Sequence, residues 1–198
     1  MVVRLDDAKP VLSPLFDQLW DCVTSAIADY HKLPADERLR HTRRTRSSLI
    51  NDYMVDNAKK AFASRHPAIT FPTIRGRTFM MIGNEFRVAF KKLDSRKCTR
   101  NIPTQQALAF VNQLQFPGLS MTNVVVGYQW NLLQTAAKGV FIACPVGQRN
   151  EWDIEIKAPI VKPVARIPDY LERSEPEVKV KPKLGAGEGI AQGVQNDE

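Results

Sequence analysis

No stretch of the chain reaches the roughly 18 uncharged apolar residues that a membrane-spanning helix needs, and the opening Met1-Val-Val-Arg-Leu-Asp-Asp lacks the apolar run of a signal peptide. A soluble, cytoplasmic protein is expected. Cysteine is scarce: Cys22, Cys98 and Cys144 are odd in number and far apart, which argues against a disulfide-stapled secreted scaffold and for reduced thiols. His31, His41 and His66 stand apart from one another and from the cysteines, so no structural zinc is expected. Gly76, Gly83, Gly118, Gly127, Gly139 and Gly147 occur singly and no Gly-Lys-Ser or Gly-Lys-Thr is present, so no phosphate-cradling loop forms. There is no internal repeat. With no motif that names a reaction, neither a cofactor nor a metal is expected, and catalysis is the less favoured reading.

What is present is an ordinary globular composition, 43% apolar and 25% charged over 198 residues, with the charge unevenly placed. The whole chain carries a formal +7. Residues 37–100 alone hold 16 basic and 5 acidic side chains, a local +11, so the rest of the chain is net acidic. A concentrated positive field favours polyanions, most often nucleic acid, and acts on association rather than on fold. The alternative is masking from within, with Asp17, Asp21 and Asp29 on one side of the first long helix as the candidate counter-charges.

Ser13-Pro14 is a helix start, and Leu15, Leu19, Val23, Ile27 and Tyr30 recur at spacings of three and four, with Phe16 and Trp20 beside them. This predicts a helix over about 14–31. A second helix is expected from Pro34, with Leu49, Ile50, Tyr53, Met54, Ala58, Ala61 and Phe62 as its buried stripe. If Arg38, Arg40, Arg43, Arg44 and Arg46 lie on one continuous helix, they spread over about two thirds of its circumference and leave no face for a core. They read as a basic arm. Ile69 to Lys91 reads as strands, with Gly83-Asn84 as a two-residue turn that puts Met81 opposite Phe86 and Phe79 opposite Val88 on the core face. Arg75, Arg77, Lys91, Lys92, Arg96, Lys97 and Arg100 then gather at the open ends of that hairpin as a second basic patch. A short helix is expected over Asn101 to Gln115, with Leu108, Val111 and Leu114 inward, then strands over 123–130, 139–144 and 151–157.

The expected architecture is α+β: two N-terminal helices packed on a mostly antiparallel sheet of about five strands, one further short helix and a disordered C-terminal tail. In domain terms this is an N-terminal extension over 1–9, an α+β domain over 10–158 containing the basic segment 37–100, and a Pro/Gly-rich tail over 159–198.

Of the chemical candidates, Glu155-x-Lys157 on a strand matches the second half of a PD-(D/E)XK nuclease signature, which needs two carboxylates for Mg²⁺ and a lysine for the attacking hydroxide. The preceding strand supplies no acid, and simple alternation explains the run: Trp152, Ile154 and Ile156 inward, Asp153, Glu155 and Lys157 outward. Cys98, between Arg96, Lys97 and Arg100, is expected to have a lowered pKa, while Cys144 reads as a core thiol. Gly127 within the strand suggests a bulge or a close backbone approach. Phe71, Phe79, Phe86, Phe90 and Trp130 are aromatic by type, suited to base stacking or to the core.

Arg87-Val-Ala-Phe-Lys-Lys-Leu-Asp94, then Asn101-Ile-Pro-Thr-Gln-Gln106, Val126-Gly-Tyr128, Cys144-Pro145 and Asn150-Glu-Trp152 together resemble a pattern in small uncharacterised bacterial proteins. Those are encoded beside helix-turn-helix regulators and zinc metallopeptidases, in a toxin-antitoxin or mobile-element setting. The resemblance spans residues 85–157 and implies a regulatory or antitoxin-like role, with no site residues attached. The expected function is a non-catalytic bacterial or phage-type accessory protein that binds nucleic acid through phosphate contacts. The alternative is an adaptor- or antitoxin-like module docking an acidic protein, and the third reading is a metal-dependent nuclease.

Overall fold

The computed structural model of the chain describes residues 2–64, 66–100, 102–113 and 121–159. Helix α1 (Leu5–Leu12) begins with Asp6 and Asp7 in its first turn, where carboxylates favour the free amides, and buries Ala8 and Leu12. A 3₁₀ turn (Ser13–Leu15) joins it to α2 (Phe16–Lys32), whose Leu19, Cys22, Val23, Ala26, Ile27 and Tyr30 form the buried face. Helix α3 (Ala35–Arg40) is short and buries nothing, and α4 (Arg43–Phe62) buries Ile50, Met54, Ala58 and Phe62 at strict four-residue spacing. Among the described residues no helix is long and apolar enough to cross a membrane.

The strands are β1 (Ile69–Thr70), β2 (Thr73–Ile74), β3 (Arg77–Thr78), β4 (Met80–Ile82), β5 (Phe86–Lys92), β6 (Thr122–Trp130), β7 (Ala137–Val146) and β8 (Arg149–Ile156). Six of them form one sheet in the order β1-β4-β5-β6-β7-β8, in which β5 and β6 are parallel and the other described neighbours antiparallel, while β2 and β3 make a separate small hairpin. Helix α5 (Gln105–Val111) lies in the β5–β6 crossover and is capped by Thr104, whose Oγ1 accepts from the Ala107 amide at 3.2 Å. Both faces of the sheet are therefore covered. On one side α1, α2 and α4 pack on Met80, Phe86, Val88, Phe90, Val124, Val126, Ile142 and Ile156; on the other, Phe79, Ala89, Leu93, Val125 and Phe141 pack with Phe110 of α5. Asn123, fully buried, holds the second layer together: its Nδ2 donates to the Phe110 carbonyl at 2.8 Å and its Oδ1 accepts from Arg87 Nε at 2.7 Å.

The α+β class, the two long helices and the mostly antiparallel sheet are as the sequence predicts, with six strands rather than about five. Four expectations need correction. The boundary at residue 10 falls inside α1, and the segment before it is tied into the domain, since Val3 donates to Thr122 Oγ1 at 3.0 Å and accepts from Trp152 Nε1 at 2.9 Å. The single helix from Pro34 is two, broken at His41–Thr42. The hairpin turn has three residues, so Ile82 pairs with Phe86, Met81 with Arg87 and Met80 with Val88. That one-residue slip exchanges the faces: Met80, Ile82, Phe86 and Val88 meet the helices, whereas Phe79 and Met81 meet the α5 side. In α5 the buried residues are Ala107 and Phe110, Val111 packs against the same layer as expected, and Leu108 is exposed. Leu114 and the tail beyond residue 159 lie outside the described residues.

One topological feature positions the site. The β4 ladder ends at Met80↔Val88, because the chain before Met80 turns away into the β2–β3 hairpin. Along Ala89–Lys92, β5 has β6 on one side and no strand on the other among the described residues.

Candidate functional site

Helix α4 starts at Thr42, whose Oγ1 accepts from the Thr45 amide at 3.1 Å. The cap fixes Arg43 and Arg44, both exposed, in a first turn that contains no acidic residue. Cations there oppose the partial positive charge of the free amides, so local stability does not explain these arginines. Across from them stand Lys91 and Lys92, at the end of β5, and Arg100. The space between is a trough of about 530 Å³, walled by these five cations, by Ser47, Ser48 and Asn51 from α4, and by the two acids Asp52 and Asp94. Past Asn51, Asp52 and Lys91 it adjoins a second cavity of about 340 Å³ with Phe79, Ala89, Ala107, Phe110 and Val125 among its walls and Lys59 and Arg77 among its polar groups.

The positive charges in this trough are only partly neutralised: Asp94 lies 3.5 Å from Arg100, and Asp52 acts on Lys91, against five cations. Burial pushes the Lys91 ammonium below its ordinary pKa and Arg77 adds to the effect, with Asp52 opposing it. Lys92 is pushed down first by partial desolvation and then by Arg46, Arg43 and Arg100. Arg43 and Arg44 form no side-chain hydrogen bond or ion pair among the described residues. Such a concave, crowded arrangement of cations favours an anion that spans several of them at once.

The structure brings together six of the twelve basic residues singled out from sequence: Arg43, Arg44, Lys91, Lys92 and Arg100 in the trough and Arg77 in the adjoining cavity. The others are placed elsewhere. Arg38 donates to the Leu33 carbonyl at 3.1 Å and to His31 Nδ1 at 3.0 Å. Because a guanidinium only donates, His31 accepts through Nδ1, and burial together with Arg38 and Arg46 keeps its pKa below the ordinary value. Arg46 lies over the Trp130 ring, 5.4 Å from its centroid, and bonds Gln134. Arg40 is exposed, with Asp36 at 4.0 Å. Arg75 turns to the far side of the Phe79–Phe110 pair, and Arg96 faces the cleft beside Cys98. Lys97 pairs with Asp153 and lies over Phe141. The five arginines of 38–46 are thus not one projecting arm, because the break at His41–Thr42 divides them between two helices and two are pinned to the core. Masking by α2 does not occur among the described residues: Asp29 pairs with Lys32 at 2.7 Å, and Asp17 and Asp21 form no ion pair with an arginine.

Sequence reasoning missed Ser47, Ser48, Asn51 and Lys59. Their signal was available, since Arg44, Ser47, Ser48, Asn51, Val55 and Lys59 recur at spacings of three and four and so share one helix face. Of the aromatic candidates, Phe86 and Phe90 are core, Trp130 gives a ring face to Arg46, and Phe79 reaches the second cavity. Gly127 is the close approach expected: a Cβ there would sit 2.2 Å from the Lys91 carbonyl oxygen. The Cys98 thiol contradicts expectation, because burial, then Asp94, raise its pKa and outweigh Arg96. Cys144 is buried and pushed up to about 12. Around Glu155, Asp153 is held by Lys97, and no group of three or more His, Cys, Asp or Glu suited to a metal ion occurs among the described residues.

The loop carrying Arg100 is shaped by Asp94, whose Oδ1 accepts from the Arg96 amide at 2.9 Å and the Cys98 amide at 3.0 Å, and whose Oδ2 lies 3.5 Å from Arg100 Nε. Burial pushes this carboxyl up, but those bonds outweigh it and hold its pKa below the ordinary value. A carboxyl lowered in the folded state adds stability that is complete above its unfolded pKa and is lost as pH falls through the folded one. Asp94→Asn is expected to cost about 1 kcal/mol near neutral pH and to flatten the acid limb of the stability profile, read by urea denaturation across pH.

Compared with known proteins, the chain matches no family model, no curated protein and no solved structure.

Proposed function

We propose that this chain is a non-catalytic, bacterial or phage-type accessory protein that binds nucleic acid through phosphate contacts. The observation that carries the reading is the trough itself: Arg43, Arg44, Lys91, Lys92 and Arg100 converge on one concave surface with Ser48 and Asn51 between them, while the Ser47 hydroxyl donates to the Arg43 carbonyl. Serine hydroxyls, an asparagine amide and free helix amides are the groups that, with arginine and lysine, contact phosphate oxygens in general. Two cations in the first turn of α4 and two partly desolvated lysines are locally unfavourable placements, and a polyanion relieves all four. Such contacts position a backbone and carry no sequence preference.

The test is a fluorescence anisotropy titration of single-stranded DNA, duplex DNA and RNA over a range of salt. The expected result is binding at low salt whose logarithm falls linearly with the logarithm of salt concentration, because each neutralised phosphate releases counterions. No binding to any of the three at low salt overturns the reading. The second reading, an acidic protein partner, is favoured by one observation: the open edge of β5 at Ala89–Lys92 is a place where an extended acidic segment can add a strand beside the same cations. Affinity capture with and without nuclease separates the two. A stoichiometric protein that remains after nuclease treatment selects the partner reading.

A further inference from the structure

Extending that phosphate-binding reading, we propose that the 340 Å³ cavity beside the trough takes one unstacked nucleobase, so that the ligand is single-stranded nucleic acid and not duplex. The cavity lies at the low end of the range of roughly 300–1,000 Å³ found for small-molecule sites, a size for one heteroaromatic ring system. Its walls include the Phe79–Phe110 pair, nearly parallel at 17° with centroids 5.8 Å apart, and the small side chains Ala89 and Ala107 leave the room in front of them. Arg87 lies 5.5 Å from the centroid of each ring, so a guanidinium reinforces the aromatic wall.

The polar groups fit an edge as well as a face. Asn51 offers an amide donor and acceptor, Asp52 accepts from exocyclic amino or ring N–H groups, and the unpaired edge of β5 at Ala89–Lys92 presents backbone groups to the same space. Asn51, Asp52 and Lys91 are shared with the basic trough, which places a phosphate site within one nucleotide of the base site. A base inside a duplex shows only its groove edges, and its face is covered by neighbours, so it reaches this cavity only when it is unpaired and unstacked. A recess with an aromatic wall on one side and polar groups on the other, opening onto a track of cations, fits the way single-strand binders combine stacking with backbone neutralisation.

The test compares three probes at equal ionic strength: a short oligothymidine, an oligomer of the same length and backbone made of abasic residues, and a duplex. Base stacking predicts that the full-length wild-type protein binds the oligothymidine about tenfold or more tightly than the abasic oligomer, with the same salt slope for both. Ala107→Leu fills the cavity from α5 at a position where leucine is a good helix former. This variant is expected to bring oligothymidine down to the abasic level and to leave abasic binding unchanged. Equal binding of base-bearing and abasic oligomers by the wild type overturns the base site while the salt-dependent phosphate reading stands, and that comparison needs no variant to fold. Tighter binding of the duplex than of either single strand also overturns it. Absence of binding to all three probes, or capture of an acidic polypeptide in their place, overturns the phosphate reading itself and the base site with it.

Discussion

Replacing Arg43, Arg44 and Lys92 together by alanine is expected to lower the affinity for single-stranded nucleic acid by about a hundredfold near 0.1 M salt, and to do so without loss of stability. The size follows from counterion release, in which each neutralised phosphate contributes about 0.7 to the slope of log affinity against log salt for a single strand. Five trough cations give a slope of about −3.5, and removing three leaves about −1.4. Over the tenfold change in salt from about 1 M to 0.1 M the difference is about two logarithmic units. The absence of a stability penalty follows from placement. Arg43 and Arg44 oppose the α4 dipole with no acidic residue in the turn, so each replacement is expected to be neutral or to add about 0.3–1 kcal/mol. Lys92 is disfavoured as a cation by desolvation and by Arg46, Arg43 and Arg100, so its loss relieves repulsion. Anisotropy titrations at several salt concentrations and urea denaturation read the two quantities separately. A variant that binds with the wild-type salt slope removes the trough as the contact surface, and one that binds weakly only because it unfolds removes the argument from placement.

The opposite behaviour is expected of Lys97, which sits against Asp153 and Phe141 and is part of the fold. This contrast explains how far the sequence could be read. The local excess of cations was legible because charge is a property of the residue. Which cations are committed internally was not, because Arg38, Arg46 and Lys97 are fixed by His31, Gln134 with Trp130, and Asp153, partners between 7 and 88 positions away. Helix α2 was legible for the same kind of reason as the charge: its apolar residues repeat at helical spacing and one face is buried. The hairpin register was not. Phe79, Met80, Met81 and Ile82 are all apolar, so the period-two signal that fixes a register is blank, and it is blank because α5 covers the second face of the sheet. Helix α1 was obscured by Pro10, which reads as a breaker yet lies inside the helix. The break before α4 has a local cause, the Thr42 cap, and could have been seen by asking which residue satisfies the amide of Thr45.

Gly127→Ala is expected to destabilise the protein by about 3 kcal/mol and to distort the trough in whatever fraction remains folded. Gly127 pairs with Lys91 in the parallel junction between β5 and β6. An added Cβ would lie 2.2 Å from the Lys91 carbonyl oxygen and 2.8 Å from Leu93 Cγ, both inside van der Waals contact. The leucine can turn; the carbonyl is backbone and can retreat only if β5 moves away from β6. That movement strains the adjoining hydrogen bond from Leu93 N to the Tyr128 carbonyl, now 2.9 Å, and displaces Lys91 and Lys92 from their place opposite Arg43 and Arg44. Gly139→Ala is the fitting control. Its nearest neighbours are the Cε2 and Cζ of Phe141 at 2.8 Å, the far end of a side chain, so the ring can give way and the cost is expected to be smaller. Chemical denaturation of both variants, with nucleic-acid titrations on the folded fraction, separates the effects. Against a total stability of about 5–15 kcal/mol, the Gly127 change alone removes a large share. Wild-type stability in Gly127→Ala would overturn the close approach of β5 and β6 at this point, and with it the argument that their packing sets the place of Lys91 and Lys92.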